Sequence, residues 1–571
     1  MSFSYADKPW LKNYDEGVLP AIDIPEHTVH HFLEESARTY PEQTAVLFKG
    51  TPISYRELNA QADAIAASLL AKGLQKGDCV ALYMVNCPQF MIAFFGILKA
   101  GGVVMALNPL YTERELTHQL ADCGAKTVIV MSLYYEMLKK VQRAGATAVT
   151  QIIVTNIKEY LPWHLKILFT LAKERKDGHA VHLVDGDTKF KDFLARGRGK
   201  AAPNVDVGPN DIALLQYTGG TTGVSKGAIG LHKNLLGNAY MVRAWDPNMR
   251  SGSEVFLASL PLFHSYGIVA AMITPISLGA KIVLIADPRD QDDVMKSINT
   301  QRPTIFPGVP AMYVAINNNP DVAAGKYDIR SINTCLSASA PLLVETKRRF
   351  EELTGGNLVE AYGLTEAHVA THANPLYSEN PPGSIGLPLP NVEVRLVALD
   401  DQQKEVPVGA VGEIVIKGPT IMPGYWNMPE ETAVAVRDGW LYTGDMARMD
   451  EDGYFFIEDR KKDMIIAGGF NIYPREVEEV LAQHPAVQEV GVAGVPDAKR
   501  GETVVAWVVK RPGDATTESE MIEWSKTQLA RYKYPRKIVF VDELPKSSVG
   551  KTLRRELVSE YVAKGDLESN E

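Results

Sequence analysis

No unbroken apolar run in this chain approaches the ~18–20 residues that cross a bilayer, which excludes an integral membrane helix. Cysteine is scarce. Cys79, Cys87, Cys123 and Cys335 are the only four in 571 residues, with no Cys-x-x-Cys pairing and no histidine at zinc-ligand spacing. A disulfide scaffold and a structural zinc site are excluded, and buried thiols in a reducing cytoplasm are expected. Positive charge is in deficit: 59 Lys and Arg against 69 Asp and Glu leave a net charge of −10. No nucleic-acid partner is expected, because neutralising a phosphate backbone takes a basic face. Local basic patches still suffice for a phosphorylated small molecule. Met1 to Trp10 carries charges and no apolar stretch, so no signal peptide is expected. No internal repeat or low-complexity tract is visible.

What remains is the composition of an ordinary globular protein, 46% hydrophobic and 22% charged, too long for one core. Ser54-Tyr55-Arg56-Glu57 is a capping box that opens a helix through Leu70, ended by Gly73. A strand over Val80 to Met84, a helix over Gln89 to Ala100 and a strand over Val103 to Leu107 follow. Further strands are expected at Thr127–Met131, Ile152–Thr155, Val255–Leu260 and Lys281–Ile285, with a helix over Ile268–Leu278. Such alternation marks layered α/β sheets. From Val392 the pattern changes to short strands with Gly and Pro turns, Val392–Val397 and Gly412–Lys417. The final region carries helices at Pro474–Ala482 and Met521–Leu529 and strands at Val487–Val492 and Val504–Lys510. The expected fold class is α/β: a large N-terminal domain (1–459) of layered α/β subdomains with a β-rich part at about 390–459. A charged hinge (460–463) and a small mobile α+β C-terminal domain (464–571) complete it.

One stretch stands out, Tyr217-Thr218-Gly219-Gly220-Thr221-Thr222-Gly223-Val224-Ser225-Lys226-Gly227-Ala228. Glycines let backbone N–H groups approach an anion, hydroxyls add donors and one lysine supplies charge. It is neither a Walker A loop nor a Rossmann Gly-x-Gly-x-x-Gly turn. Apolar runs flank it, so a mobile phosphate-gripping loop between two strands is expected.

This segment resembles the signature loop of the adenylate-forming superfamily, the acyl-CoA synthetases, peptide-synthetase adenylation domains and luciferases. Ala361-Tyr362-Gly363-Leu364-Thr365-Glu366 and Tyr442-Thr443-Gly444-Asp445 resemble two further signatures. Asp459 to Asp463 resembles the hinge, and Pro545-Lys546-Ser547-Ser548-Val549-Gly550-Lys551 the C-terminal lysine motif. The likeness runs from about Tyr40 to Leu557 and is greatest to bacterial long-chain fatty-acid–CoA ligases. It implies a two-step reaction on a fatty acid, ATP with Mg2+, and coenzyme A. Lys226 and its loop would hold the β- and γ-phosphates, and Lys551 would reach the carboxylate and α-phosphate. Glu366, with Thr218, would ligate the metal. Asp445 would accept from the ribose hydroxyls with Arg460 as companion, and His264 would stand near the acyl carboxylate. The adenine pocket would involve Ala338, Glu360, Ala361, Tyr362 and Thr365. Many relatives have glycine where Ala338 and Ala361 stand, and Ile268 replaces a tryptophan that gates some long-chain relatives. Lys462 would be the pivot, and Gly468, Gly469, Phe470 and Arg500 would face CoA. Residue type alone also allows Lys551 as a solvated tail lysine, Glu366 as a helix-start glutamate and His264 as a structural histidine.

Ile268–Leu278 and Phe306–Ile316 are apolar enough to wall an alkyl tunnel or to serve as plain core helices. Trp163–Ala172, flanked by Lys166, Lys173, Arg175 and Lys176, reads as a helix that either completes the core or lies on a membrane surface. The alternatives to a fatty-acid ligase are an acyl-AMP or aryl-acid ligase of the same fold and a non-catalytic carrier. Monomer and homodimer both remain open.

Overall fold

Buried runs of β-branched and aliphatic residues alternate with helices to build two largely parallel sheets. The computed structural model describes residues 4–200, 204–218, 225–460, 463–467, 470–497, 500–547 and 551–563. The chain divides into two compact units. One comprises Leu11–Glu393 with Ile416–Leu441; the other comprises Met1–Trp10, Val394–Val415 and Tyr442–Glu571.

The first unit holds both large sheets. The seven-stranded sheet runs in the order Thr188–Lys189, Gln151–Thr155, Thr127–Met131, Cys79–Tyr83, Val103–Leu107, Ile212–Thr218, Lys226–Leu231. Its pairs are parallel except the last, where Ile212–Thr218 and Lys226–Leu231 form an antiparallel hairpin. In the nine-stranded sheet the middle strands, Val255–Ala258, Lys281–Leu284, Ile305–Gly308 and Thr334–Ser337, are parallel. Antiparallel pairs close both edges. All four cysteines are buried, as expected from their scarcity.

Local chemistry explains the elements. Ser54 accepts from the Glu57 N–H at 3.2 Å while Glu57 accepts from the Ser54 N–H at 2.8 Å, closing the capping box of the Tyr55–Ala71 helix. The Pro88–Lys99 helix is buried on every side, as an all-round apolar helix must be. Its one charge, Lys99, is neutralised by Asp63 at 2.6 Å and Glu34 at 3.1 Å.

Two expected helices differ. Ile268–Leu278 is helical, but Val269–Ile273 is a π-turn between α segments. Pro275 lacks the N–H that an α-helix would aim at Ala271, so the turn widens. Phe306–Ile316 is not one helix: Ile305–Gly308 is a strand, and Pro310 starts the Pro310–Asn317 helix at its first turn. The Val269–Ile273 turn and strand residues Ile305 and Phe306 are core.

In the second unit a β-rich sheet uses Glu393–Val397, Gly412–Lys417, Trp440–Met449 and Phe455–Arg460. A second sheet is built on the long Val487–Asp497/Gly501–Lys510 hairpin with Lys537–Phe540 added in parallel. Asp459 and Arg460, the start of the charged run, are strand residues, and Arg460 stands opposite Asp445.

The hairpin of Asn357–Leu364 and Val369–Ala373 leaves no room at Gly363, where a Cβ would lie 1.4 Å from the Val369 carbonyl oxygen. Gly363→Ala is expected to force the hairpin open at a cost of about 1–3 kcal/mol. Scanning calorimetry reads this as a lowered Tm; a Tm equal to that of the parent would show that the contact relaxes freely.

Candidate active site

The hairpin that ends at Thr218 and resumes at Lys226 anchors the site. Thr218 stands opposite Lys226, Tyr217 opposite Gly227 and Gln216 opposite Ala228, so two strands do flank the glycine-rich loop. Gly219, Gly220, Thr221, Thr222 and Gly223 lie outside the described residues. A Cβ on Gly227 would meet the Tyr217 ring at 3.1 Å, and Ala228 is buried. The Tyr217 hydroxyl donates to Asp122 at 2.5 Å; burial first, and then this carboxylate, raise its pKa.

Lys226 meets two groups that sequence motifs leave unconnected, and through one of them a third. Its Nζ forms an ion pair with Glu431 and lies 5.4 Å from the centroid of the Tyr425 ring. The Tyr425 hydroxyl in turn donates to Glu366 Oε1 at 2.8 Å. Glu431 is half exposed, so its pair with Lys226 contributes at most about 1 kcal/mol. Backbone bonds fix this cluster: Ile229 N–H donates to the Gly424 carbonyl at 3.0 Å and Trp426 N–H to the Gly227 carbonyl at 2.7 Å. Tyr425 and Glu431 were missed as site residues. The bridge from Ala228 to Tyr425 spans a separation that no local pattern reports.

Glu366 sits in a 3-10 turn, Thr365–Ala367, that follows the strand carrying Glu360, Ala361 and Tyr362. Glu360 Oε2 accepts from the Leu342 N–H at 3.3 Å, and the Tyr362 ring lies 5.7 Å from that of His372. Ala338 follows the Thr334–Ser337 strand, beside Ser339 at φ +74°. The methyl groups of Ala338 and Ala361 are mostly buried.

His264 caps the Ser265–Ile268 helix, its Nδ1 accepting from the Tyr266 N–H at 3.3 Å. Burial lowers its pKa to about 4, so the imidazole is neutral at physiological pH. Gln216 Nε2 donates to the Phe263 carbonyl at 3.1 Å, tying this turn to the phosphate-loop hairpin.

The second unit carries the other predicted residues. Asp445 is buried, with its N–H donating to Thr443 Oγ1 at 3.1 Å. Lys551 closes a turn in which its N–H donates to Ser547 Oγ at 3.1 Å and its carbonyl accepts from the Ser547 N–H at 2.8 Å. Arg500 N–H donates to Asp497 at 2.8 Å, and Phe470 pairs with Ala467. Lys462, Gly468 and Gly469 fall outside the described residues.

Residues 33–426 match the family described as AMP-binding enzyme, and residues 476–551 match the AMP-binding enzyme C-terminal domain. A long-chain-fatty-acid–CoA ligase of Bacillus subtilis (strain 168) is 44% identical, covering 97% of this chain and 98% of that protein. One from Escherichia coli O6:H1 is 40% identical, covering 98% and 99%. Among solved structures, ATP-bound MatB from Rhodopseudomonas palustris is 31% identical with a TM-score of 0.81, over 94% of this chain and 99% of that one. The anthranilate CoA ligase AuaEII in complex with anthranoyl-AMP is 27% identical with a TM-score of 0.84, over 99% and 100%. With its signature hairpin, its carboxylate turn and both matched regions in order, this chain belongs to the AMP-binding, adenylate-forming enzyme family.

Proposed function

We propose that this chain is an ATP-dependent acid–thiol ligase that joins a medium- to long-chain fatty acid to coenzyme A. The reaction passes through an acyl-adenylate and releases AMP and pyrophosphate. The observation that carries this reading is a cation and a carboxylate, Lys226 and Glu366, joined through Tyr425 at the root of the glycine-rich loop, one beside its ring and the other at its hydroxyl. The likeness to long-chain-fatty-acid–CoA ligases over nearly the whole chain supports the substrate class.

A fatty-acid carboxylate attacking the α-phosphate meets like-charge repulsion, so the protein must neutralise and align. Unit charges 4 Å apart interact by roughly 1 kcal/mol in water and about 4 kcal/mol at an effective dielectric of 20, so cations act best in a closed site. Lys226 holds the β- and γ-phosphates and releases them with pyrophosphate. Lys551 offsets the charge gathering between carboxylate and α-phosphate. His264, neutral, positions the acid rather than adding charge. Asp445 accepts from the ribose, Arg460 assists, and the adenine lies against Ala338 and the Glu360–Tyr362 strand. Glu366 fits a hard divalent cation, since Tyr425 engages one carboxylate oxygen and leaves the other, with the Thr218 hydroxyl as a second oxygen donor. Bound there, Mg2+ would screen the phosphate charge. The unit after the 460–463 hinge then turns about Lys462, and CoA approaches along the segment containing Gly468, Gly469, Phe470 and Arg500.

CoA-dependent AMP formation across acids from two to eighteen carbons, with benzoate included, tests the reading directly. Turnover should rise with chain length and be weak on benzoate. A benzoate optimum would identify an aryl-acid ligase, pyrophosphate release with accumulating acyl-adenylate and no thioester in the presence of CoA an acyl-AMP ligase, and no pyrophosphate a carrier.

Lys551→Ala should lower adenylation by at least about a hundredfold while sparing thioester formation from supplied acyl-adenylate, because only the first step joins two anions. Equal losses in the two half-reactions would remove Lys551 from this role.

The Trp163–Ala172 helix supports a peripheral membrane contact. Leu165 and Phe169 turn inward, Phe169 against His179 at 5.3 Å. Trp163, Ile167 and Leu171 repeat every fourth residue and are 76%, 53% and 82% exposed, with Leu168 at 60%. The core alternative therefore fails for this outer face. Lys166, Lys173, Arg175 and Lys176 are exposed around it. No helix among the described residues is long and apolar enough to cross a membrane; an exposed apolar stripe bordered by lysines suits a helix that would lie in the interface. Each apolar side chain contributes up to about 1.5–3 kcal/mol on full burial, and anionic lipid adds attraction. Leu168→Glu with Leu171→Glu should abolish flotation with vesicles containing phosphatidylserine and leave Tm unchanged; undiminished flotation would refute the contact.

A further inference from the structure

Glu431 belongs to none of the motifs that carry the resemblance, yet it is the carboxylate paired with the signature lysine. Its placement is built rather than incidental. Tyr425 N–H donates to Thr432 Oγ1 at 2.9 Å, and Thr432 Oγ1 donates to the Met428 carbonyl at 2.8 Å, closing the turn that leads into the Pro429–Ala435 helix. A Cβ on Gly424 would lie 2.4 Å from the Thr432 side chain, so the turn closes tightly on itself. Trp426 Nε1 and Asn427 Nδ2 both donate to the Asp122 carbonyl, at 3.1 and 3.2 Å. These bonds fix the turn to the Glu113–Cys123 helix, and the Trp426 N–H bond to the Gly227 carbonyl ties it to the strand that Lys226 begins. Lys226 is mostly buried and Glu431 half exposed, so the carboxylate is the partner that can leave toward water.

We propose that Glu431 is a place-holding counter-ion for Lys226, a positioning residue that gives the lysine up to the terminal phosphates of ATP and takes it back as pyrophosphate departs. This rests on the reading of Lys226 as the phosphate-gripping lysine. A buried ammonium without a counter-charge is unfavourable, and a triphosphate approaching a paired lysine must displace a like-charged carboxylate. Glu431 therefore weakens binding of ATP and pyrophosphate alike and speeds product release. The Tyr425 ring stays beside Lys226 through the exchange and limits how far its ammonium travels.

The test uses the full-length enzyme, with ATP and inorganic pyrophosphate as probes. Glu431→Gln should lower the KM for ATP and the inhibition constant of pyrophosphate by roughly two- to fivefold, the scale of one partly exposed charge pair. Glu431→Asp should fall between the parent and the glutamine variant. In the Lys226→Ala background, Glu431→Gln should change neither constant. An unchanged or raised KM for ATP, or an equal effect without Lys226, would overturn the proposal. Lys226→Ala alone separates the two layers. If it leaves pyrophosphate affinity intact, the phosphate-grip reading fails; if it weakens that affinity while Glu431→Gln does nothing, the place-holder role alone fails.

Discussion

Both protons of the Asn86 amide reach across to the second sheet, one to the Leu260 carbonyl at 2.9 Å and one to the Ile285 carbonyl at 3.1 Å. Its Oδ1 accepts from the Leu262 N–H at 2.8 Å. Asn86 follows the Cys79–Tyr83 strand of the seven-stranded sheet, whereas its partners lie just past the Val255–Ala258 and Lys281–Leu284 strands of the nine-stranded sheet and in the turn that presents His264. Apolar burial holds two sheets together without specifying their offset, because it is non-directional. A buried amide does specify it: each net hydrogen bond contributes about 0.5–1.5 kcal/mol, and an orphaned partner costs about 1–3 kcal/mol. With Gln216 tied to the Phe263 carbonyl, the phosphate-loop hairpin and the His264 turn share one frame. Catalysis that depends on alignment requires such a frame.

Within that frame the charges are few and arranged around one phenol. Tyr425 has its pKa raised by burial and then by Glu366, so it stays protonated and donates. Ionised, it would add a third anion to Glu366 and Glu431. Protonated, its hydroxyl donates to Glu366 while its ring lies beside the Lys226 ammonium. His264 is likewise held neutral by burial, so on the proposed reading it adds no second fixed cation beside the acid.

The sequence was most legible where local chemistry decides. The Ser54 capping box, the strands at Val103–Leu107 and Thr127–Met131 and the hairpin around the glycine-rich loop all formed as read. It was less legible where tertiary geometry decides. Periodicity cannot foresee the π-turn that Pro275 imposes, nor that Phe306 belongs to a strand ended before Pro310. Hydropathy marks Trp163, Ile167 and Leu171 as apolar but does not say which side faces water. Tyr425 and Glu431 escaped because their partners lie across the antiparallel bridge at Ala228, a long-range pairing with no local signature.

The same distinction explains where the backbone is strained. Ser339, His368 and Val369 have φ of +74°, +49° and +105°, and the valine is the most severe, because a β-branched side chain clashes in that region. These residues border the Ala338 turn and the Glu366 turn, and each such conformation costs about 1–3 kcal/mol. Buried polar contacts sustain it. His368 Nδ1 lies 2.8 Å from the Thr420 carbonyl, and Asn238 Nδ2 donates to the Ala370 carbonyl at 2.9 Å. Burial lowers the His368 pKa to about 4, so the ring keeps this contact as a neutral group at physiological pH. Local preference would relax the turn and draw Glu366 away from Tyr425. The surrounding core overrides that preference, and Glu366 keeps its hydrogen bond from Tyr425.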